Sequence, residues 1–223
     1  MNPPKKQSIH QPGLPKRLEA LSLVSLEDYD EYAERKISGC DLVEQKAKNV
    51  IFEESLLERV TLTGAQLPKL RLRDVRLESC DISAAFLEGC RLQRVEFLNC
   101  RLLGVQMLAA QMDDVLFRDC NLEGAVFSLA EAKSIRFEKS ILRNATFEGA
   151  DLNKVTFDHC DLSYADFRNT KLKQADLRGS VLDGMQIEAT AVKGMVISPM
   201  QAIQMVGLLG LVVQDEDISM GQG

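Results

Sequence analysis

The chain of 223 residues carries none of the short motifs that mark common nucleotide-binding and metalloenzyme sites. It has no GxGxxG stretch, no Walker A sequence and no HExxH motif, and its histidines are His10 and His159 alone. Each of those motifs places residues that cradle a phosphate or hold a catalytic zinc ion. Their absence predicts a protein without cofactor or metal and argues against an enzyme.

An excess of positive charge is also missing, since the formal net charge is −6. Such a chain offers no basic surface for the phosphates of DNA or RNA, so we expect no direct nucleic acid binding. Residues 1–24 contain no apolar run typical of a signal peptide. The uncharged stretch 194–214 is interrupted by Pro199 and by glutamines and glycines, which disfavours a membrane-spanning helix. These features predict a soluble cytoplasmic protein with no membrane association.

A large apolar residue recurs at every fifth position from Ile37 to Ile197 without a change of register. Leu, Phe, Ile, Met or Val occupies each of these positions except Ala47 and Ala132. An α-helix repeats every 3.6 residues and a strand every two, so neither accounts for a period of five. The pattern predicts a repeat architecture built from five-residue units.

A second apolar series of smaller residues, mainly Ala, Val and Cys, lies two positions before the first. Because residues i and i−2 of an extended segment point to the same side, each unit places one large and one small side chain inward. Cysteines at 40, 80, 100, 120 and 160 and two phenylalanine ladders recur at multiples of 20 residues. Since like residues stack in solenoids, this spacing predicts four units per coil and about eight coils.

Units such as Ala150–Lys154, Ala165–Asn169 and Ala175–Gly179 resemble the A(D/N)LXX signature of pentapeptide-repeat proteins. The resemblance covers residues 37–197 and implies an all-β solenoid, the right-handed quadrilateral parallel β-helix of that family. In family members that bind DNA gyrase and protect it from quinolones, a strongly acidic face mimics duplex DNA. This chain mixes positive and negative residues throughout and lacks the loop insertions of the plasmid-borne resistance members.

All six cysteines fall in the small inward series, where we expect buried hydrophobic side chains. Disulfides or a metal site in the cysteine stack are the alternatives, but the chain has no CxxC pair. The triplet Asp158-His159-Cys160 suggests a nucleophile beside its base. The alternation, however, predicts that Cys160 points inward and His159 outward, so that the two do not meet.

The sequence divides into four predicted segments. Residues 1–28 form a flexible N-terminal segment and cap, in which residues 16–26 are either a short helix or an irregular lid. The β-helix follows at 29–197, then a C-terminal helix and cap at 198–213 and an acidic disordered tail at 214–223. Both ends of the β-helix need such covers because open sheet ends recruit further strands.

The C-terminal helix is predicted to run from Pro199 to Leu209, with Ser198 as its N-cap. One face, carrying Ala202, Ile203 and Val206, is expected to pack on the last coil. The other side is apolar too, and a helix that is apolar nearly all round is buried on two sides. This pattern predicts a homodimer through the C-terminal module, with contacts from Met200, Gln204, Met205 and Leu208.

Function in such a rod must lie on its outer faces or its ends. Several large apolar residues fall at positions expected to face water near the central coils, and a contiguous patch of them would mark a partner site. This candidate partner surface consists of Phe86, Leu98, Leu103, Leu108, Leu116 and Leu129.

With no catalytic constellation in the pattern, the sequence predicts a non-enzymatic protein–protein interaction module or scaffold whose protein partner is unknown. The alternative is a DNA-mimicking regulator of a type II topoisomerase, DNA gyrase, with quinolone protection as its outcome.

Overall fold

The computed structural model describes residues 8–208 and 210–212 and forms a parallel β-solenoid of about seven turns followed by a C-terminal helix. The fold class predicted from the five-residue period is confirmed, and the number of turns is close to the expected eight. The predicted tail at 214–223 and Leu209 lie outside the described residues, as do residues 1–7.

The elements are β1 Glu19–Leu21, β2 Glu31–Ala33, β3 Arg35–Ser38, β4 Ile51–Glu58, β5 Arg71–Glu78, β6 Arg91–Leu98, β7 Gln111–Arg118, β8 Glu131–Glu138, β9 Thr156–Asp158 and α1 Pro199–Leu208. Within the described residues, the strands form one sheet in the order β1-β3-β4-β5-β6-β7-β8-β9, and β2 pairs with β4. In each central coil, two consecutive sides together form one strand of eight residues, and the other sides contribute isolated bridges.

The pairing register places each residue opposite the residue one coil later. Leu72 pairs with Leu92, and Leu92 pairs with Met112. The same offset continues through isolated parallel bridges such as that between Asp81 and Arg101. This offset of 20 residues confirms the length of the coil that the cysteine and phenylalanine spacing predicts.

Each five-residue unit turns at a corner residue with left-handed backbone. Asp114 and Asn144, for example, have φ angles of 54° and 55°. Left-handed backbone is costly for most residues, least so for Gly, Asn and Asp, and a β-branched side chain fits it worst. Among the described residues with positive φ there is no Val, Ile or Thr.

The core is a column of stacked side chains along the rod axis. Phe97, Phe117, Phe137 and Phe157 lie one above the other, with ring centroids 4.7, 4.9 and 5.1 Å apart and nearly parallel planes. A second ladder meets the first edge-to-face, as where Phe127 contacts Phe137 at 6.0 Å. Aromatic pairs favour these offset-stacked and edge-to-face arrangements, so the ladders reinforce the coil register.

Residues 19–26 cover the first coil without forming a helix, so the short-helix alternative for this segment is wrong. β1 adds to the sheet by pairing with β3, and Leu23 and Leu26 are buried in the same core cluster as the coils. Tyr32 stacks on Phe52 at 5.0 Å. A strand suits this position because the first coil has free backbone groups that a helix would leave unpaired.

Candidate functional site

The C-terminal helix docks on the last coil through a face different from the predicted one. Gln201 and Met205 are its buried residues, whereas Ala202 and Ile203 are exposed. The side-chain Nε2 of Gln201 donates to the carbonyls of Leu177 and Ser180, both at 2.7 Å. The helix presents this face because the carbonyls at the open end of the solenoid have no later coil to donate to them, and the purely apolar face has no side-chain donor.

A capping box fixes the start of this helix. The Ser198 N–H donates to the side-chain Oε1 of Gln201 at 2.8 Å, and the Gln201 N–H donates to the Ser198 hydroxyl at 3.3 Å. This reciprocal pair is the S-x-x-Q signature of a helix N-terminus. The spacing of Ser198 and Gln201 in the sequence therefore indicates that Gln201 lies in the first turn of the helix, although a polar residue there is ordinarily expected to face water.

The helix and the residues after it leave an apolar end exposed. Met200 is 75% exposed, Ile203 63%, Leu211 61% and Val212 81%. Of the predicted dimer contacts, Met200 and Gln204 are exposed and Leu208 is half-buried, but Met205 faces the last coil and is unavailable. We call Met200, Ile203, Leu211 and Val212 the C-terminal apolar patch.

The central surface does not form the contiguous exposed patch that its sequence suggested. Leu116 is buried, with 5% of its surface exposed, and Leu129 is 60% exposed. Leu116 lies in register between Glu96 and Arg136 of the adjacent coils, whose long side chains flank an outward residue on both sides. The remaining candidates, Phe86, Leu98, Leu103 and Leu108, are half-buried.

Several acidic residues on the rod are paired with basic residues one coil away. Arg76 Nε lies 2.8 Å from Glu96 Oε2, and Arg118 Nε lies 2.7 Å from Glu138 Oε2. The same one-coil spacing joins Glu53 to Arg73, Asp74 to Arg94, Asp81 to Arg101 and Asp151 to Lys171. The exposed pairs among them, such as that of Asp151 and Lys171, contribute little stability, but all of these pairs neutralise carboxylates on the faces that carry them.

The cysteines are buried and free, and the thiols of all but Cys90 donate to main-chain carbonyls. The Sγ atoms of Cys80 and Cys100 lie 3.4 Å from the carbonyl oxygens of Leu57 and Leu77. Burial raises the pKa of the Cys90 and Cys160 thiols to about 12. These thiols are therefore neutral at physiological pH and are not nucleophiles.

The triplet at Asp158 does not assemble a nucleophile with its base. His159 points to solvent and its Nδ1 lies 2.9 Å from Asp158 Oδ1, whereas Cys160 is inside the core. Among residues 8–208 and 210–212, no group of three or more His, Cys, Asp or Glu side chains is placed to hold a metal ion. Over the same range, no helix has the length and apolar character needed to cross a membrane.

The N-terminal residues 8–15, expected to be flexible, contact the outside of the rod. His10 contacts Asp114 through both its backbone N–H and its ring, and the Gly13 N–H donates to Asp74 Oδ1 at 2.9 Å. Local sequence patterning gives no signal for these contacts because the partners lie 104 and 61 residues apart. The structure thus presents two candidate surfaces. One is the C-terminal apolar patch, and the other is the column of corner residues Asp74, Arg94 and Asp114, which this segment covers and which we call the corner column.

Comparisons with known proteins agree with this architecture. A family model described as a pentapeptide repeat region matches residues 50–127 and 70–147, and a model of pentapeptide repeats in eight copies matches residues 140–179. A search of curated proteins by sequence gives no match.

Two similar solved structures are trypsin-treated variants of QnrB1, a plasmid-mediated fluoroquinolone resistance protein. One is 20% identical with a TM-score of 0.60, and the match covers 88% of this chain and 100% of that chain. The other is 21% identical with a TM-score of 0.58, covering 90% and 100%. At this level of identity the similarity establishes the shared fold alone.

Proposed function

Because this chain belongs to the pentapeptide-repeat family, we propose that it is a non-enzymatic interaction module that assembles as a homodimer through its C-terminal end and serves as a scaffold. Over the described residues, the rod pairs several of its acidic side chains across coils and assembles no catalytic group, which leaves its surfaces for binding. Buried free thiols are consistent with a reducing compartment, so we place the protein in the cytoplasm.

The observation that carries this proposal is the C-terminal apolar patch. Its four side chains are all more than half exposed, in a rod whose other large apolar residues are mostly inside. Burial of apolar surface stabilises association by about 25 cal/mol per Å². A second copy supplies the same patch, and a twofold axis brings the two into a self-complementary contact.

Light scattering during size-exclusion chromatography tests the dimer. We expect the wild-type chain to run at twice its 24.8 kDa mass at micromolar concentration and Ile203→Glu to run as a monomer. Leu129→Glu is the matched control, because it introduces the same charge at an exposed apolar residue remote from the helix. A wild-type monomer at this concentration, or an Ile203→Glu dimer, would contradict the proposed assembly.

The second candidate, a regulator of DNA gyrase, is supported by the fold shared with a quinolone-resistance protein. Mimicry of duplex DNA requires a face with an excess of unpaired negative charge, and the cross-coil ion pairs reduce it here. A gyrase supercoiling assay with the purified chain separates the candidates. Inhibition of supercoiling, or protection from a quinolone at micromolar concentration, would favour gyrase over the scaffold.

A further inference from the structure

The corner column Asp74, Arg94 and Asp114 binds the N-terminal segment through fixed carboxylate oxygens. The His10 N–H donates to Asp114 Oδ1 at 3.3 Å, and His10 Nδ1 lies 2.7 Å from Asp114 Oδ2. Three residues later, the Gly13 N–H donates to Asp74 Oδ1 at 2.9 Å. Two carboxylates on different coils thus hold one short stretch of chain.

The spacing of these carboxylates matches an extended peptide. Asp74 and Asp114 lie two coils apart, which at the usual distance between strands is about 9.6 Å along the rod axis. Three residues of extended chain from His10 to Gly13 span about 10 Å. The segment therefore crosses the coils along the corner in an extended conformation. Its two backbone N–H donors, at His10 and Gly13, have the same spacing as the acceptor carboxylates of Asp114 and Asp74.

The carboxylate of Asp74 is held in place by a residue of the rod as well as by the segment. Its side chain is 9% exposed, and both of its oxygens accept hydrogen bonds from Arg94, one of them from Nε at 2.6 Å. Arg94 therefore orients Asp74 Oδ1 toward the N–H of the segment. This contact reads the backbone and not a side chain, since Gly13 has none.

We propose that the corner column of Asp74, Arg94 and Asp114 is a binding site for an extended peptide segment of a protein partner, and that residues 8–15 are its resting occupant in cis. The site accepts a segment with a backbone N–H over Asp74 and an imidazole or basic side chain three residues earlier, over Asp114. A built Cβ at Gly13 would lie 3.5 Å from Asp74 Oδ1, which is ordinary contact, so a small side chain also fits.

A partner segment must displace the cis segment before it can bind. Tethering gives the cis segment an effective concentration in the millimolar range, so a free peptide competes poorly until the cis contacts are weakened. The proposal rests on the proposed function in one respect, that the partner is a protein. It uses a surface on the central coils and does not depend on the C-terminal dimer.

The first measurement is amide hydrogen exchange in the full-length chain. We expect the Gly13 amide to be protected in the wild type, and at least tenfold less so in Asp74→Ala. Asp119→Ala is the control, because Asp119 is an exposed corner residue on the following side of the coil with the same left-handed backbone. An unprotected Gly13 amide in the wild type overturns the proposal.

The second measurement uses a fluorescent peptide with the sequence of residues 8–18 and follows its anisotropy. The receptor is the full-length chain carrying His10→Ala and Gly13→Pro, which removes the imidazole and one backbone donor of the cis segment but leaves the rod intact. We expect binding at least tenfold tighter than to the wild-type chain, and no competition by an unlabelled peptide with the same two substitutions. Equal binding to both chains, or no binding to the variant at millimolar peptide, overturns the proposal.

Unchanged circular dichroism and thermal unfolding of the variant establish that its rod is folded. Because light scattering of Ile203→Glu reports on the C-terminal end of the molecule and not on the central coils, failure of the peptide site and failure of the proposed dimer give different results.

Discussion

The side-chain Nε2 of Gln201 lies 2.7 Å from the carbonyl oxygen of Leu177, and this contact ties the C-terminal helix to the last coil. The same nitrogen reaches the carbonyl oxygen of Ser180 at 2.7 Å. Those carbonyls would otherwise have no later coil to pair with. One glutamine therefore closes the sheet at the end where an open edge would recruit other strands.

Replacing Gln201 with Ala is expected to destabilise the last coil. The buried Ser180 carbonyl then loses its donor and the Leu177 carbonyl keeps only the N–H of Ser180, at a cost of about 1–3 kcal/mol. Because contacts in a solenoid are between neighbouring coils, the loss should be local. Hydrogen exchange should therefore accelerate at the Leu177 and Val196 amides, which bond within this coil, and not at the central strands.

Gln204→Ala is the matched control for Gln201, since Gln204 lies on the same helix but is exposed and bonds Asp183 at 3.3 Å. Its effect on exchange should be within experimental error. Equal acceleration in both variants would mean that the helix, and not the Gln201 contact, protects the last coil.

The fold of the rod was predictable from the sequence because the same pattern of large and small apolar residues recurs in every coil. Each coil imposes the same cavity on the next, so a residue such as Phe137 is specified by its neighbours at 20 residues in either direction. The orientation of the C-terminal helix was not predictable in this way, because the helix occurs once and no equivalent position in another coil specifies its residues. Ile203 had the hydrophobicity expected of a buried residue, but the open carbonyls of the last coil selected Gln201.

Truncating the aromatic ladder should destabilise the whole rod. Phe137 stacks on Phe117 and Phe157 and contacts Phe127 and Phe147 edge-to-face. We expect Phe137→Ala to lower the free energy of unfolding by about 3–5 kcal/mol, from lost burial and a residual cavity. Phe137→Leu, which keeps most of the volume, should cost about 1–2 kcal/mol.

Urea titration followed by circular dichroism measures both Phe137 variants, with the exposed substitution Lys139→Ala as the control. Equal effects of Ala and Leu at this position would show that the cavity term is absent and that the rings do not pack as described.

A corner residue tests the left-handed backbone separately from the core. Asn144 is exposed and has a φ of 55°. We expect Asn144→Val to lower the free energy of unfolding by about 1–2 kcal/mol, because a β-branched residue disfavours this conformation. Asn144→Gly should be close to neutral, since glycine adopts it freely. If urea titration gives both variants the same stability, backbone conformation is not what selects the corner residues.

The contacts of the N-terminal segment and the burial of Leu116 were not predicted from the sequence, and the reason is the same for both. Both depend on what lies beside a position in space, and an outward position looks the same in every coil. Asp74 and Asp114 are ordinary acidic corner residues by sequence, and only the fold shows that one segment crosses both. The repeat pattern alone therefore does not show which outward residues are covered by neighbouring side chains or by a segment outside the repeat.

The cysteines should resist alkylation in the native state. All six are buried, and the pKa of the Cys90 and Cys160 thiols is raised to about 12, so the reactive thiolate is scarce at pH 8. We expect a thiol reagent to modify none of them at pH 8 and all of them in denaturing urea, as counted by mass spectrometry. Rapid modification of any cysteine in the folded chain would show that its coil opens or that its side chain is outside the core.

Acid should release the N-terminal segment through Asp74. Hydrogen bonds from Arg94, opposed in part by burial and aided by the Gly13 N–H and the charge of Arg73, hold the pKa of Asp74 below its ordinary value. A lowered pKa in the folded state means that the contact stabilises above the ordinary Asp pKa of about 3.9 and is lost as the pH falls through the lowered value.

The protection factor of the Gly13 amide, corrected for the intrinsic exchange rate, should therefore stay constant from pH 7 to about pH 4 and fall below it. In Asp74→Asn, which keeps a side-chain oxygen but has no carboxylate to protonate, the fall below pH 4 should disappear. Loss of protection between pH 7 and pH 5 in the wild type would contradict the assignment of the release to Asp74.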